Sequence, residues 1–182
     1  MKTILEETIP LEVEDGVTLT AMIGYTDEGR TDDIVVIFPP HPALGGDSDN
    51  NVVKALYQGF AAAGQVAMRF DYRGVRSGTV KGSHMLPYWD VLERSRDYSV
   101  IVEDTERLIE AVRLSVNPCA RLHFVAYSFG NLIALELMGR MDVKKLFGIS
   151  PPVGAYEFEP YFLELRERAF AIAAHDMFCE RQ

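Results

Sequence analysis

Ser128 is the residue of this chain whose type and surroundings offer chemistry most directly. It stands in Leu122-His123-Phe124-Val125-Ala126-Tyr127-Ser128-Phe129-Gly130-Asn131, between an apolar, strand-like run and the helix-like stretch Leu132-Ile133-Ala134-Leu135-Glu136-Leu137-Met138. A serine held on a tight turn at the end of a buried strand is exposed at the sheet edge, beneath the N-terminus of the helix that follows. The amides and the dipole of that terminus stabilise a developing oxyanion, so the chemistry served is nucleophilic attack on an acyl carbon. Ala126 stands where such an elbow ordinarily has its first glycine, and Gly130 is retained on the other flank. A serine between strand and helix is also the ordinary helix N-cap, and that use stands beside the nucleophilic one.

The other polar residues with catalytic side chains read differently. Asp71 and Arg73 follow a strand and fit a structural pair or turn network. His123 lies within a strand and fits a core or face-filling role, and His84 lies in a loop and stays open. Cys119 and Cys179 are far apart, with no histidine or cysteine at metal-ligand spacing, so ordinary reduced thiols are expected and no metal site is assigned. No Gly-x-x-x-x-Gly-Lys loop is present to cradle a phosphate, and the sequence names no cofactor.

These residues need a scaffold, and the chain has the size for one. Its 182 residues, 48% hydrophobic, suit a single domain over 1–182 with a substantial core. A net charge of -9 and an isoelectric point near 4.9 argue against nonspecific binding to nucleic acid or to anionic membranes, which require basic patches. The N-terminal Met1-Lys2-Thr3-Ile4-Leu5-Glu6-Glu7 turns acidic where a secretory signal would stay apolar, and no stretch has the apolar length of a membrane span. A cytoplasmic protein is expected.

Strand-like and helix-like segments alternate, the pattern of a sheet covered by helices on both faces. Ile4 to Val13 and Val17 to Tyr25 flank the turn Glu14-Asp15-Gly16 as a hairpin, and the apolar run Ile34-Val35-Val36-Ile37-Phe38 reads as a buried strand. Ser48 or Asp49 can cap a helix that carries Val53, Leu56, Tyr57 and Phe60 and ends at Gly64, before a strand over Gln65 to Phe70. A helical stripe with Ile101, Leu108 and Val112 is stopped by Pro118, and Arg121 to Tyr127 is the strand that delivers Ser128. Lys144 to Ile149 and Ala169 to Ala174 supply two more strands, with a helix expected over Tyr156 to Arg168.

With the elements in this order, the sequence resembles the α/β-hydrolase superfamily, and within it the small cytoplasmic serine hydrolases with a His-Pro-type oxyanion loop. The resemblance covers nearly the whole chain. It rests on Pro39-Pro40-His41-Pro42-Ala43-Leu44-Gly45-Gly46 followed by Asp49-Asn50-Asn51, on Arg69-Phe70-Asp71-Tyr72-Arg73-Gly74, on the serine elbow and on Ser150-Pro151-Pro152. It implies a three-layer α/β fold with a mostly parallel, doubly wound sheet, here shortened at the C-terminus. It also implies an oxyanion hole built from the loop after the third strand. Three of the four residues Pro39 to Pro42 are prolines, so His41 has the only backbone N–H there, to be paired with the N–H of Phe129.

The superfamily's catalytic acid maps onto Asp176 in Ala173-Ala174-His175-Asp176, with Ala173 where relatives have glycine. The histidine that normally follows is missing from the sequence, and its loss would cost several orders of magnitude in rate. A naturally short chain, a truncated one, or a different histidine in the role (His41, His84 or His175) are the alternatives. The function implied is esterase-like or thioesterase-like hydrolysis of a small acyl substrate, with Ser128 as nucleophile and Asp176 as orienting acid. The alternative is a catalytically impaired binding or assembly protein of the same fold. The segment Thr79 to Ser99, with Met85, Leu86, Tyr88 and Trp89, reads either as a small apolar lip beside the site or as a loop packed on the body. Ala169 to Ala174 is expected at a sheet edge, which would favour a homodimer through that edge.

Overall fold

The computed structural model describes residues 3–75, 85–158, 161 and 169–171. Seven strands form one sheet: β1 (Leu5–Glu12), β2 (Thr18–Tyr25), β3 (Arg30–Phe38), β4 (Gln65–Phe70), β5 (Arg121–Tyr127), β6 (Val143–Ile149) and β7 (Ala169–Ala171). Among the described residues, four α-helices accompany them: α1 (Asn51–Ala62), α2 (Met85–Ser95), α3 (Ser99–Val116) and α4 (Gly130–Met138). The strand order is β1-β2-β4-β3-β5-β6-β7. The β1–β2 and β2–β4 pairs are antiparallel, and from β4 onward every neighbouring pair is parallel.

The sequence dictates this layering through the alternation of side chains along a strand. In β3, Val35 and Ile37 pack with Val53, Tyr57 and Ala61 of α1, while Ile34, Val36 and Phe38 belong to the larger core on the opposite face. That larger core takes Ile101, Leu108 and Val112 from α3 and Ile133, Leu135 and Leu137 from α4. A strand buried on both faces has to be continuously apolar, which accounts for the unbroken run in β3.

The hairpin and all seven expected strands are found: β4 and β5 have the expected bounds, the others are shifted by a residue or more, and residues 172–174 of the last lie outside the described residues. The cap of α1 differs from expectation: Asn50 fills it, its side chain accepting the Val52 N–H at 2.9 Å. Ser48 and Asp49 are drawn away instead, because Arg69 donates to the Ser48 carbonyl and to the Asp49 carboxylate, each at 2.7 Å. Of the 79–99 segment, Met85–Ser95 is helical as α2 and Ser99 opens α3; Trp89 is fully buried, donating its indole N–H to the Arg73 carbonyl at 3.2 Å. Arg73 in turn holds Asp104 of α3 in a buried two-point pair, Nε–Oδ2 2.5 Å and Nη2–Oδ1 3.0 Å, the structural role expected of it. The helix expected over Tyr156 to Arg168 lies mostly outside the described residues. Among the described residues, no helix is long and apolar enough to cross a membrane, and no group of three or more His, Cys, Asp or Glu is placed to hold a metal ion.

Candidate functional site

The C-terminal ends of β3, β5 and β6 bring three chain segments together: the 39–46 loop, the Ser128 turn and the Ser150-Pro151-Pro152 exit. Ser128 has a φ of 53°, left-handed backbone that a side chain resists by about 1–3 kcal/mol. The turn that imposes it is tied at several points. The Ser128 N–H donates to the Ile149 carbonyl at 2.9 Å, and the Asn131 amide donates to the carbonyls of Ser128 at 2.8 Å and Ile149 at 3.0 Å. Ser150, leaving β6, is likewise left-handed with φ 45°. Gly130 allows the turn to sit against β3, since a Cβ there would meet Phe38 Cβ, the Phe38 carbonyl oxygen and the Pro39 carbonyl oxygen, each at 2.8 Å.

The loop after β3 is shaped by its own hydrogen bonds. His41 caps the short 3-10 turn Pro42–Leu44, its Nδ1 accepting the Ala43 N–H at 3.1 Å, while its carbonyl accepts from the N–H groups of Leu44 and Gly46, each at 3.1 Å. Its buried ring lies edge-on to Trp89 and Phe129, with centroids 5.0 and 4.8 Å away. With Nδ1 accepting, the ring proton belongs on Nε2, which lies 2.7 Å from Glu93 Oε1 of α2, a close polar contact in which the N–H points off the line to the oxygen. Among the described residues, neither the His41 nor the Phe129 backbone N–H meets a hydrogen-bond acceptor.

Ser128, His41 and Phe129 line a single cavity of about 290 Å³, together with Glu93, Arg96 and Tyr156. Burial is the largest influence on His41 and holds its imidazole below its ordinary pKa, against the opposing pull of Glu93. Burial also works against the charge of Glu93, but the hydroxyls of Tyr156 and Tyr98, with His41 and Arg96, outweigh it and keep this carboxyl below its usual range. At neutral pH the pair is therefore a neutral imidazole beside a carboxylate. A second cavity of about 640 Å³ shares Arg96, Ala155 and Tyr156 with the first and extends along α4 to Ile133, Glu136 and Arg140.

Three of the four residues singled out from sequence, Ser128, His41 and Phe129, thus meet at one cavity. Asp176 lies outside the described residues, as do His84 and His175. His123 sits near the start of β5, the end remote from Ser128, with Nε2 2.8 Å from Asp33. Asp71 accepts the Ser48 N–H at 2.7 Å, a turn role. Sequence reasoning missed Glu93, which the pattern of α2 does not distinguish from a solvated helix-end acid. It also missed Asn131, which looks like one more residue of the helix start.

No protein-family model and no curated protein matches the chain. Solved structures do. A protein of unknown function from Agrobacterium tumefaciens, described as a candidate alpha/beta hydrolase, superposes with a TM-score of 0.71 at 21% identity, over 91% of this chain and 69% of that one. An alpha-beta serine hydrolase homologue from Coxiella burnetii gives 0.68 at 18% identity, over 93% and 87%. A serine hydrolase without a lid from Xanthomonas campestris gives 0.68 at 18%, over 92% and 83%. The chain has the α/β-hydrolase fold.

Proposed function

We propose that this chain is a serine hydrolase acting on a small ester, thioester or related acyl compound. Ser128 Oγ attacks the acyl carbon, the backbone N–H groups of His41 and Phe129 bind the oxyanion, and Asp176 is the orienting acid. The observation that carries this reading is the left-handed Ser128 at the tip of β5, in one cavity with two backbone N–H groups that have no acceptor among the described residues. Strain at a residue exposed to a cavity is retained where the surrounding structure enforces it, and such sites concentrate at reactive centres. The serine hydrolase names among the structural neighbours agree with it.

A binding role on the same fold is the second reading, and one observation favours it. Both histidines among the described residues are engaged away from Ser128: His41 with Ala43 and Glu93, His123 with Asp33. The base that takes the serine proton is therefore unassigned. Hydrolysis of p-nitrophenyl acetate and butyrate by the chain and its Ser128→Ala variant separates the readings. Turnover that falls by roughly a thousandfold or more in Ser128→Ala is the expected result, as for a dissected triad. Equal rates in two folded proteins would leave the binding role.

A further inference from the structure

Glu93 ties together several parts of the site. Its Oε1 accepts from the hydroxyls of Tyr98 at 2.7 Å and Tyr156 at 2.6 Å and lies 2.7 Å from His41 Nε2, while its Oε2 takes Arg96 Nη1 at 3.0 Å. These groups come from four places: the loop after β3, the end of α2, the entry to α3 and the segment after β6. Arg96 reaches Glu93 from a left-handed backbone, φ 56°, directly after α2, a position that favours glycine. Its guanidinium also stacks over the Tyr156 ring, 4.8 Å from the centroid.

We propose that Glu93 is a positioning residue of the Ser128 site, its carboxylate latching the His41 imidazole to α2 and thereby fixing the backbone N–H of the same residue. This rests on the reading of that N–H as an oxyanion donor. Prolines at 39, 40 and 42 lock their own φ, and the His41 carbonyl is held on its C-terminal side by Leu44 and Gly46. The ring of His41 is a further hold on its main chain, and the one that reaches outside the loop. One ring nitrogen is bound within the loop by Ala43, and the other reaches out of the loop to Glu93. The carboxylate is itself held in place against the ring by Tyr98, Tyr156 and Arg96, so the 2.7 Å contact confines the imidazole although the N–H is not aligned with the oxygen. The same geometry excludes the ring as general base, because the Nδ1 lone pair is already taken by the Ala43 N–H and Nε2 carries the proton.

Glu93→Ala and Glu93→Gln, each checked for an intact fold by thermal melting, test the latch alongside wild type and Ser128→Ala. The kcat of Glu93→Ala for p-nitrophenyl acetate should fall by about tenfold to a hundredfold, short of the about 10²–10³ expected for outright loss of an oxyanion donor, with KM within about twofold. Glu93→Gln should recover most of it, because its amide oxygen can keep the close contact with Nε2, a rescue that a purely structural role would not show in kcat alone. Independently of turnover, nitrogen-resolved NMR of the imidazoles should show His41 as the Nε2–H tautomer with a slowly exchanging proton, lost in Glu93→Ala. A folded Glu93→Ala with unchanged kcat, or with a His41 spectrum identical to wild type, overturns the latch. If wild type itself has no Ser128-dependent turnover, the hydrolase reading falls, and the imidazole spectra alone decide whether Glu93 holds His41.

Discussion

At Gly130 the site is closest to having no tolerance. The turn can pass beneath β3 only because position 130 lacks a side chain, and the atoms a Cβ would strike are mostly backbone, which cannot rotate aside. Gly130→Ala should therefore destabilise the protein by about 1–3 kcal/mol, read as a lowered urea midpoint, and should reduce reaction of Ser128 with a fluorophosphonate probe. An unchanged midpoint would mean that the turn relaxes without strain. Ser128 and Gly130 were legible in the sequence because their motif is local: apolar run, tight turn, apolar helix. Glu93 and Tyr156 were not, since a carboxylate and a hydroxyl acquire their meaning from partners 63 residues apart in the chain. Asp176, read from the resemblance, lies beyond the described residues.

Among the elements, β3 and β5 carry the site's two principal segments and are clamped together at their far ends. Arg121 of β5 donates twice to Asp33 of β3, at 2.7 Å each, and His123 Nε2 lies 2.8 Å from the same carboxylate. The Arg121 hydrogen bonds are the main cause that holds the Asp33 carboxyl down to about 2, with burial opposing and His123 assisting. A lowered carboxyl pKa means that the folded state favours the ionised form. The stability contributed is full above the ordinary value of 3.8 and disappears as pH falls through about 2. Asp33→Asn should thus be less stable than wild type in urea at about pH 6, with the gap closing toward about pH 2. A gap that stays constant with pH would deny the clamp. Element positions were largely readable because apolar alternation in β2 and the continuous run in β3 report burial directly. The Asn50 cap was harder to read. Three adjacent polar residues, Ser48, Asp49 and Asn50, can all cap a helix, and the choice is made by Arg69, a residue of β4 that no local pattern connects to them.

For the whole molecule, the sheet keeps the ion-pair clamp and the candidate site apart. The Arg121–Asp33 clamp lies at one end of the parallel strands, and the Ser128 cavity at the other. The two cores, one beneath α1 and one beneath α3 and α4, meet across β3 and β5, so the site's floor is supported from both sides. Helix α2 joins this body through the buried Trp89 and through Glu93, which makes the segment after residue 84 part of the cavity's wall.

One detail of the elbow reaches further than the elbow itself. The left-handed turns at Ser128 and Ser150 lie at the tips of adjacent strands, and Asn131, itself fully buried, spans from one to the other. Neither kink can relax while the other stays put, so the two should open as one cooperative unit. Native-state hydrogen exchange followed by mass spectrometry should find the Ser128 amide and the amides at the end of β6 sharing a single opening free energy, and Asn131→Ala should lower both together. Separate opening energies would mean two independent hinges. If they open together, the geometry of Ser128 is a property of the joint between two strands, and a change in the loop after β6 would be transmitted to Ser128 without touching it.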